Sequence, residues 1–289
     1  MRFGIGTPIV ATPDPTPWER SAGPEQVAEI AARADRLGYA HLTCSEHVAV
    51  PDGPYSRSSF WDPCATFSFL SAVTSRIRFV TYVLIIGLHH PLQIAKRYGT
   101  VDVISAGRLT LGFGVGNERT EFDVLGASFE DRGARAEDML RALRTTLSQR
   151  QPVYDGPYYR YRDLMVDPHT VQARVPLWLG GHTRRSLVRA TTLADAWIPP
   201  PAGHRGPGPD ELAALLSTVE LPAGFDVGIS PGAPLDALGE PGRCTEEVGR
   251  WQEAGATLMT VGFSRNSAEE FADQLEAFAE LVGLEGSGA

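Results

Sequence analysis

Apolar positions along the chain fall into two alternating rhythms. Short apolar runs recur at 2–7, 39–44, 77–84, 108–114, 176–180 and 195–199, and the less regular last third adds 225–230 and 257–263. Such runs, rich in Val, Ile, Leu and aromatics and bounded by Gly, Pro or polar residues, are strand signals. Between them the apolar residues recur with a helical period. Pro24 opens a stretch in which Val27, Ile30, Ala31, Ala34 and Leu37 share one stripe, and Gly38 ends it. Asp62-Pro63 supplies an N-cap and a first helical residue. A helix from Pro91 ends near Gly107, and one near 131–149 carries Met139, Leu140, Leu143 and Leu147 on one face. Further helices are predicted over 183–194, 210–218, 245–254 and 267–282.

Strands that alternate with helices imply a parallel sheet, and eight such units imply closure. The prediction is an α/β fold, a single (β/α)8 TIM barrel domain over 1–289 with a loop insertion between strands four and five. An open doubly wound sheet is the competitor. It would usually place a Gly-rich phosphate loop after its first strand, where this chain has Thr7-Pro8 and further prolines. The aromatic stretch within 151–175, which includes YDGPYYRYRDL, breaks the rhythm as a hairpin-like insertion. Together with the Pro/Gly-rich loop 200–209, it is the expected lid, because barrel enzymes vary their specificity through such loops.

Composition narrows the function. A formal net charge of −9 argues against nucleic-acid and anionic-membrane partners, which select basic surfaces. Lys96 is the only lysine, so an anion clamp must be built from Arg, His or backbone N–H groups. Cys44, Cys64 and Cys244 are widely spaced and odd in number, which favours neither a disulfide framework nor a zinc site and fits a reducing cytosol. No apolar run approaches the ~18 residues that span a bilayer, and the first residues lack a signal-peptide pattern. The expected location is cytoplasmic.

In such a barrel the chemistry sits at the C-terminal ends of the strands. Ser45-Glu46-His47 follows strand two, Ile85 to His90 follows strand three, and Val115-Gly116-Asn117-Glu118 follows strand four. Strand five runs into Leu179-Gly180-Gly181-His182-Thr183 and then Arg184. Two glycines permit close backbone approach, and a helix starting beside Thr183 offers free N–H groups to a phosphate. The same residues would also make a plain N-capped turn. His47 is either an acid/base group or a satisfied polar residue at the rim. Glu46 reads as a structural partner, and His41, inside strand two, as a core residue. A barrel metallohydrolase would want paired histidines at an early strand end, which are missing, so no metal is expected.

These segments resemble the luciferase-like oxidoreductases, especially the actinobacterial branch that depends on coenzyme F420. The likeness rests on RFGIGTP, SEHVAVP, WDPCATFSFLSAVTSRIRFVTYVL, HPLQIAKRYGTVDVISAGRLTLGFGVGNERTEFDVLG and PLWLGGHTRRSLVRATTLADAWIPP, in that order. It is dense over 1–199 and thin beyond. It implies an oxidoreductase in which F420 lies across the barrel top and exchanges a hydride with a small-molecule substrate. His47 would stand near the ring as acid/base, and a cis peptide at Tyr82-Val83 would lie behind it. Val115, Gly116 and Asn117 would approach the cofactor, and Gly180, Gly181, His182, Thr183 and Arg184 would take its phosphate. Asn117 and Glu118 join His47 as catalytic candidates. Where sugar-phosphate dehydrogenases of this family carry a glutamate, this chain has Asn117, and Lys96 does not match their phosphate lysines. Alkene reduction and alcohol oxidation stay open. FMN is the alternative cofactor, in a luciferase-like monooxygenase. A non-catalytic flavin-binding relative is a third reading, disfavoured by His47. The resemblance also implies a homodimer, which the residues themselves leave undecided.

Overall fold

The computed structural model describes residues 1–12, 15–53 and 57–286. Eight parallel strands form the barrel: β1 (Arg2–Gly6), β2 (His41–Cys44), β3 (Arg78–Thr81), β4 (Leu109–Gly114), β5 (Leu177–Gly180), β6 (Ala196–Ile198), β7 (Asp226–Ile229) and β8 (Leu258–Val261). Each pairs with the next in sequence, and β8 pairs with β1, so the sheet closes. One helix follows each strand on the outside: α1 (Pro24–Leu37), α2 (Pro63–Ser71), α3 (Pro91–Ile104), α4 (Arg132–Thr146), α5 (Arg184–Leu193), α6 (Pro209–Leu216), α7 (Pro241–Glu253) and α8 (Ala268–Leu281). The predicted (β/α)8 barrel is the observed fold.

Local chemistry explains the boundaries. Asp62 accepts from Ala65 N at 2.8 Å and starts α2, while Gly38 ends α1 in the left-handed region at φ 88°. The stripes face inward as their period requires: Val27, Ile30, Ala31 and Ala34 on α1, and Met139, Leu140 and Leu143 on α4, are all buried. They pack with Leu42, Phe79, Phe113 and Leu179 in the layer between helices and strands. A smaller cluster of Val80, Trp178, Ala196, Ile198 and Leu258 fills the barrel interior.

Two departures matter for the site. The third apolar run is not one strand: β3 stops at Thr81, the Tyr82–Val83 peptide is cis, and pairing with β4 resumes only at Leu84–Ile85. The aromatic insertion does form a hairpin, pairing Tyr154–Asp155 with Arg160–Tyr161. Asp138, buried on α4, accepts from the Tyr154 hydroxyl and from Tyr158 N and Tyr159 N, while Tyr161 meets Thr146 and His90. These contacts fasten the hairpin to the flanks of α3 and α4. Its tyrosines answer a buried carboxylate in the helix layer, which local composition cannot reveal.

Candidate active site

The end of β2 and the cis bend after β3 are stitched together. Tyr82 N donates to Cys44 O at 2.8 Å, the Ser45 hydroxyl donates to Tyr82 O at 2.7 Å, and Glu46 N donates to Val83 O at 3.2 Å. Both carbonyls of the cis pair are thereby fixed. Glu46 turns inward, accepting from Ile85 N at 2.9 Å and contacting His89 Nε2 at 2.8 Å. It braces the turn after the bend, the structural role its position predicts. Burial pushes the Cys44 thiol up to about 12, which removes it as a thiolate nucleophile.

His47 points the other way. Its Nδ1 lies 3.1 Å from Glu121 Oε2, and its ring packs at 4.6 Å from that of Phe60. The Glu121 side chain is fully buried, whereas that of His47 retains 23% exposure. Glu121 Oε1 also accepts from Val48 N at 2.7 Å and Ala49 N at 3.3 Å, so one carboxylate fixes both the imidazole and the loop behind it. The carboxylate thus orients the imidazole through Nδ1. Glu121 lies three residues beyond Glu118, the last candidate in the segment after β4. Glu118 instead caps the short helix Arg119–Val124, accepting from Thr120 N at 3.1 Å, and Asn117 is exposed. A signal for Glu121 did exist: Glu121 and Phe122 are the two residues that this amphipathic turn buries.

From the bend, a path of small residues crosses the mouth. A Cβ placed on Gly114, at the end of β4, would lie 2.7 Å from Val83 Cγ2, and one on Gly180 would lie 3.9 Å from Gly114 Cα. Val83, Gly114 and Gly180 are therefore neighbours. Val115 is half-buried beside them, and Gly116 presents its carbonyl to Arg132 Nε at 3.1 Å. At the far end, Thr183 caps α5 by accepting from Ser186 N at 3.2 Å, while Thr183 N donates to Ser186 Oγ at 3.0 Å. The N–H groups of Arg184 and Arg185 precede the first helical hydrogen bond and have no acceptor within α5. Gly181 adopts φ 138°, and a Cβ there would fall 2.4 Å from Ser186 Cβ. Glycine is thus required by the turn itself. His182 is exposed, and the Arg184 guanidinium reaches away to Thr218 O at 3.3 Å, leaving its backbone N–H at the turn.

The fit to a flat cofactor with a phosphate tail can be judged on these features. The strand ends between Val83 and Gly180 carry little side chain, and a capped ten-residue helix closes the path with unpaired N–H groups. At the end of β1, the buried Thr7 hydroxyl has no hydrogen-bond partner among the described residues. The residues present suit such a group. A separate 220 Å³ cavity lined by Arg2, His41, Arg78 and Trp178 lies at the opposite, N-terminal mouth.

Known proteins agree with this architecture. A model of the family described as luciferase-like monooxygenase matches residues 1–218. An uncharacterized protein of Mycobacterium tuberculosis is 31% identical over 241 residues, 83% of this chain and 82% of its own. The F420-dependent glucose-6-phosphate dehydrogenase of Intrasporangium calvum is 27% identical over 161 residues, 52% of this chain and 47% of its own. Among solved structures, the monooxygenase RslO1 of Streptomyces bottropensis superposes with a TM-score of 0.73 over 98% of both chains at 21% identity. No helix among the described residues is long and apolar enough to cross a membrane. With three quarters of its length matched by one family model, and with that fold closed around a histidine-bearing mouth, the chain belongs to the luciferase-like oxidoreductases, described as the luciferase-like monooxygenase family.

Proposed function

We propose that this protein is an F420-dependent oxidoreductase that exchanges a hydride with a small alcohol or an activated alkene. The observation that carries the reading is the His47–Glu121 contact at the C-terminal mouth, an imidazole held by a buried carboxylate beside the cis bend. The likeness to the F420-dependent glucose-6-phosphate dehydrogenase of Intrasporangium calvum supports the cofactor. Bound there, F420 supplies two-electron hydride chemistry at a ring carbon that reacts poorly with dioxygen. The remaining work falls to the protein's own residues. The first turn of α5 and the Thr183 hydroxyl receive the phosphate. His47 Nε2 takes the hydroxyl proton of an alcohol as hydride leaves, or returns a proton to an alkene carbon after hydride arrives. Glu121 keeps the ring oriented throughout.

A sugar phosphate is disfavoured as substrate. Lys96, the only lysine, donates to Asp167 O on the outer side of the helix layer, far from the role of a phosphate clamp. The second reading is an FMN-dependent monooxygenase, favoured by the monooxygenase description of the matching family model.

Fluorescence titration with F420 and with FMN separates the two. The expected result is submicromolar F420 affinity, on the order of a −8 kcal/mol interaction, with FMN at least about tenfold weaker. Tighter FMN binding would give the chain to the monooxygenase reading.

A further inference from the structure

The cavity of about 220 Å³ at the N-terminal mouth is built from the starts of the barrel strands, at the opposite end of β2 from His47. It far exceeds the roughly 10–15 Å³ that holds one water, so a ligand of several heavy atoms fits. Val80, Trp178 and Leu258 make its apolar wall, with the His41 ring edge-on to Trp178 at 5.4 Å. Arg2, Arg78 and Arg174 line it against two acids, Asp195 and Asp226. Both acids are engaged. Asp226 takes Arg2 at 2.6 Å and the Thr257 hydroxyl at 2.8 Å. Asp195 takes Arg144 at 2.6 Å, Arg174 at 2.8 Å and Leu177 N at 2.8 Å. Arg78 donates instead to Thr110, Gly107 O, Leu109 O and Gln172. Gln172 in turn donates to Asp102 at 2.7 Å, an acid that draws on Arg78 from behind. With Arg144 and Asp102 counted, four guanidiniums meet three carboxylates, which leaves one positive charge over in a chain whose net charge is −9. His41 registers that field: after burial, the charges of Arg2 and Arg78 hold its pKa down, at about 3. The ties to the fold also leave donors over. Arg2 and Arg174 each reach their acid through Nη2 alone, and their side chains keep 59% and 66% exposure at the rim.

We propose that this cavity binds a small monocarboxylate with a flat apolar body, its carboxylate toward the rim arginines and its body against Trp178 and Leu258. A guanidinium fork matches a carboxylate in one plane. A single surplus charge suits a monoanion, whereas a phosphate dianion would also face Asp195 and Asp226. The apolar wall favours a ligand with a body to bury over a bare inorganic ion. The N-terminal face of such a barrel serves stability rather than chemistry, so occupancy stabilises the fold by mass action. The proposal is independent of which cofactor occupies the other mouth.

The test is calorimetric titration of the full chain at low ionic strength with benzoate, benzamide and inorganic phosphate. Benzoate should bind with a submillimolar Kd, and benzamide and phosphate about tenfold or more weakly. The double variant Arg2→Gln/Arg174→Gln removes both rim forks, yet leaves Asp226 with Thr257 and Asp195 with Arg144 and Leu177 N. It should weaken benzoate about tenfold, the loss expected from two exposed charge pairs. Ala40→Leu narrows the cavity from a half-buried lining position without touching a charge, and should weaken benzoate and benzamide alike. Benzoate should raise the melting temperature of the wild type by more than that of either variant. No benzoate binding at millimolar concentration, equal binding of benzamide, or tighter binding of phosphate would overturn the ligand class. Unchanged benzoate affinity in either folded variant would place the ligand elsewhere and overturn the site.

Discussion

Strand β2 has a histidine at each end, and the two mouths of the barrel treat them oppositely. His41 opens the strand at the N-terminal mouth, 2% exposed, with Nε2 2.9 Å from the Thr260 hydroxyl and the Trp178 ring edge-on at 5.4 Å. Burial, together with the charges of Arg2 and Arg78, pushes its pKa down to about 3. The arginines around it are committed to the fold. Arg2 pairs with Asp226 at 2.6 Å, Arg144 and Arg174 share Asp195, and Arg78 donates to Thr110, Leu109 O and Gln172. His47, three residues past the other end of the same strand, has a carboxylate on one ring nitrogen and partial exposure. One histidine is locked neutral inside a structural network, and the other is the one that the proposed function has trade a proton. Residue type alone does not distinguish them; the direction of the strand does.

The largest effect expected from breaking this contrast comes from Glu121. In Glu121→Ala the donors His47 Nδ1, Val48 N and Ala49 N lose their shared acceptor, at about 1 kcal/mol or more for each one left unsatisfied. Turnover should fall by about 10²-fold as the ring loses its orientation, with a lower melting temperature. Glu118→Ala removes only the cap of a six-residue helix and should cost about 1 kcal/mol or less, with turnover within about threefold of wild type. Steady-state kinetics on the two variants decides between the neighbouring acids, and the reverse order of losses would return the catalytic assignment to Glu118.

A smaller effect sharpens the other side. Because His41 has a folded pKa well below that of a free imidazole, the unfolded chain binds the extra proton between about pH 6.5 and pH 3. Stability should therefore fall as pH drops through that window, by at most ~1.4 kcal/mol per unit from this residue. Asp35 and Asp195 have carboxyls held below their usual value by backbone and arginine hydrogen bonds, so their contribution is lost only at still lower pH, below about 3.8. Urea denaturation at pH 7 and pH 5 should show a smaller pH dependence in His41→Gln than in wild type. Burial lowers the pKa of His90 as well, but that acts equally in both proteins. Identical pH dependence would mean that His41 is not held neutral.

The residues that were legible in the sequence are those whose role is set locally. The stripes on α1 and α4, the Asp62 cap and the Thr183 turn follow from spacing and side-chain chemistry within one element. Spacing also placed His47 past a strand end. What the sequence hid depends on contacts between distant segments. Glu121 meets His47 across 74 residues, the Asp138 carboxylate gathers a hairpin 16 to 21 residues away, and Ala11–Thr12 pairs with Ser59–Phe60 only because the loops after β1 and β2 converge. The glycine turn was legible in type but not in cause. Gly181 is required by its backbone angle and by Ser186, so a substitution there breaks the turn whether or not a phosphate binds.

The claim that β2 separates a structural from a proton-handling histidine is tested most directly by one paired measurement. His41→Gln and His47→Gln are compared for turnover at saturating F420 on a secondary-alcohol or activated-alkene substrate, with F420 affinity measured alongside. His47→Gln should lose about 10²-fold or more in kcat while its F420 Kd stays within about threefold, and His41→Gln should keep kcat near wild type once folded. A His47→Gln enzyme with kcat within a few-fold of wild type would contradict the account.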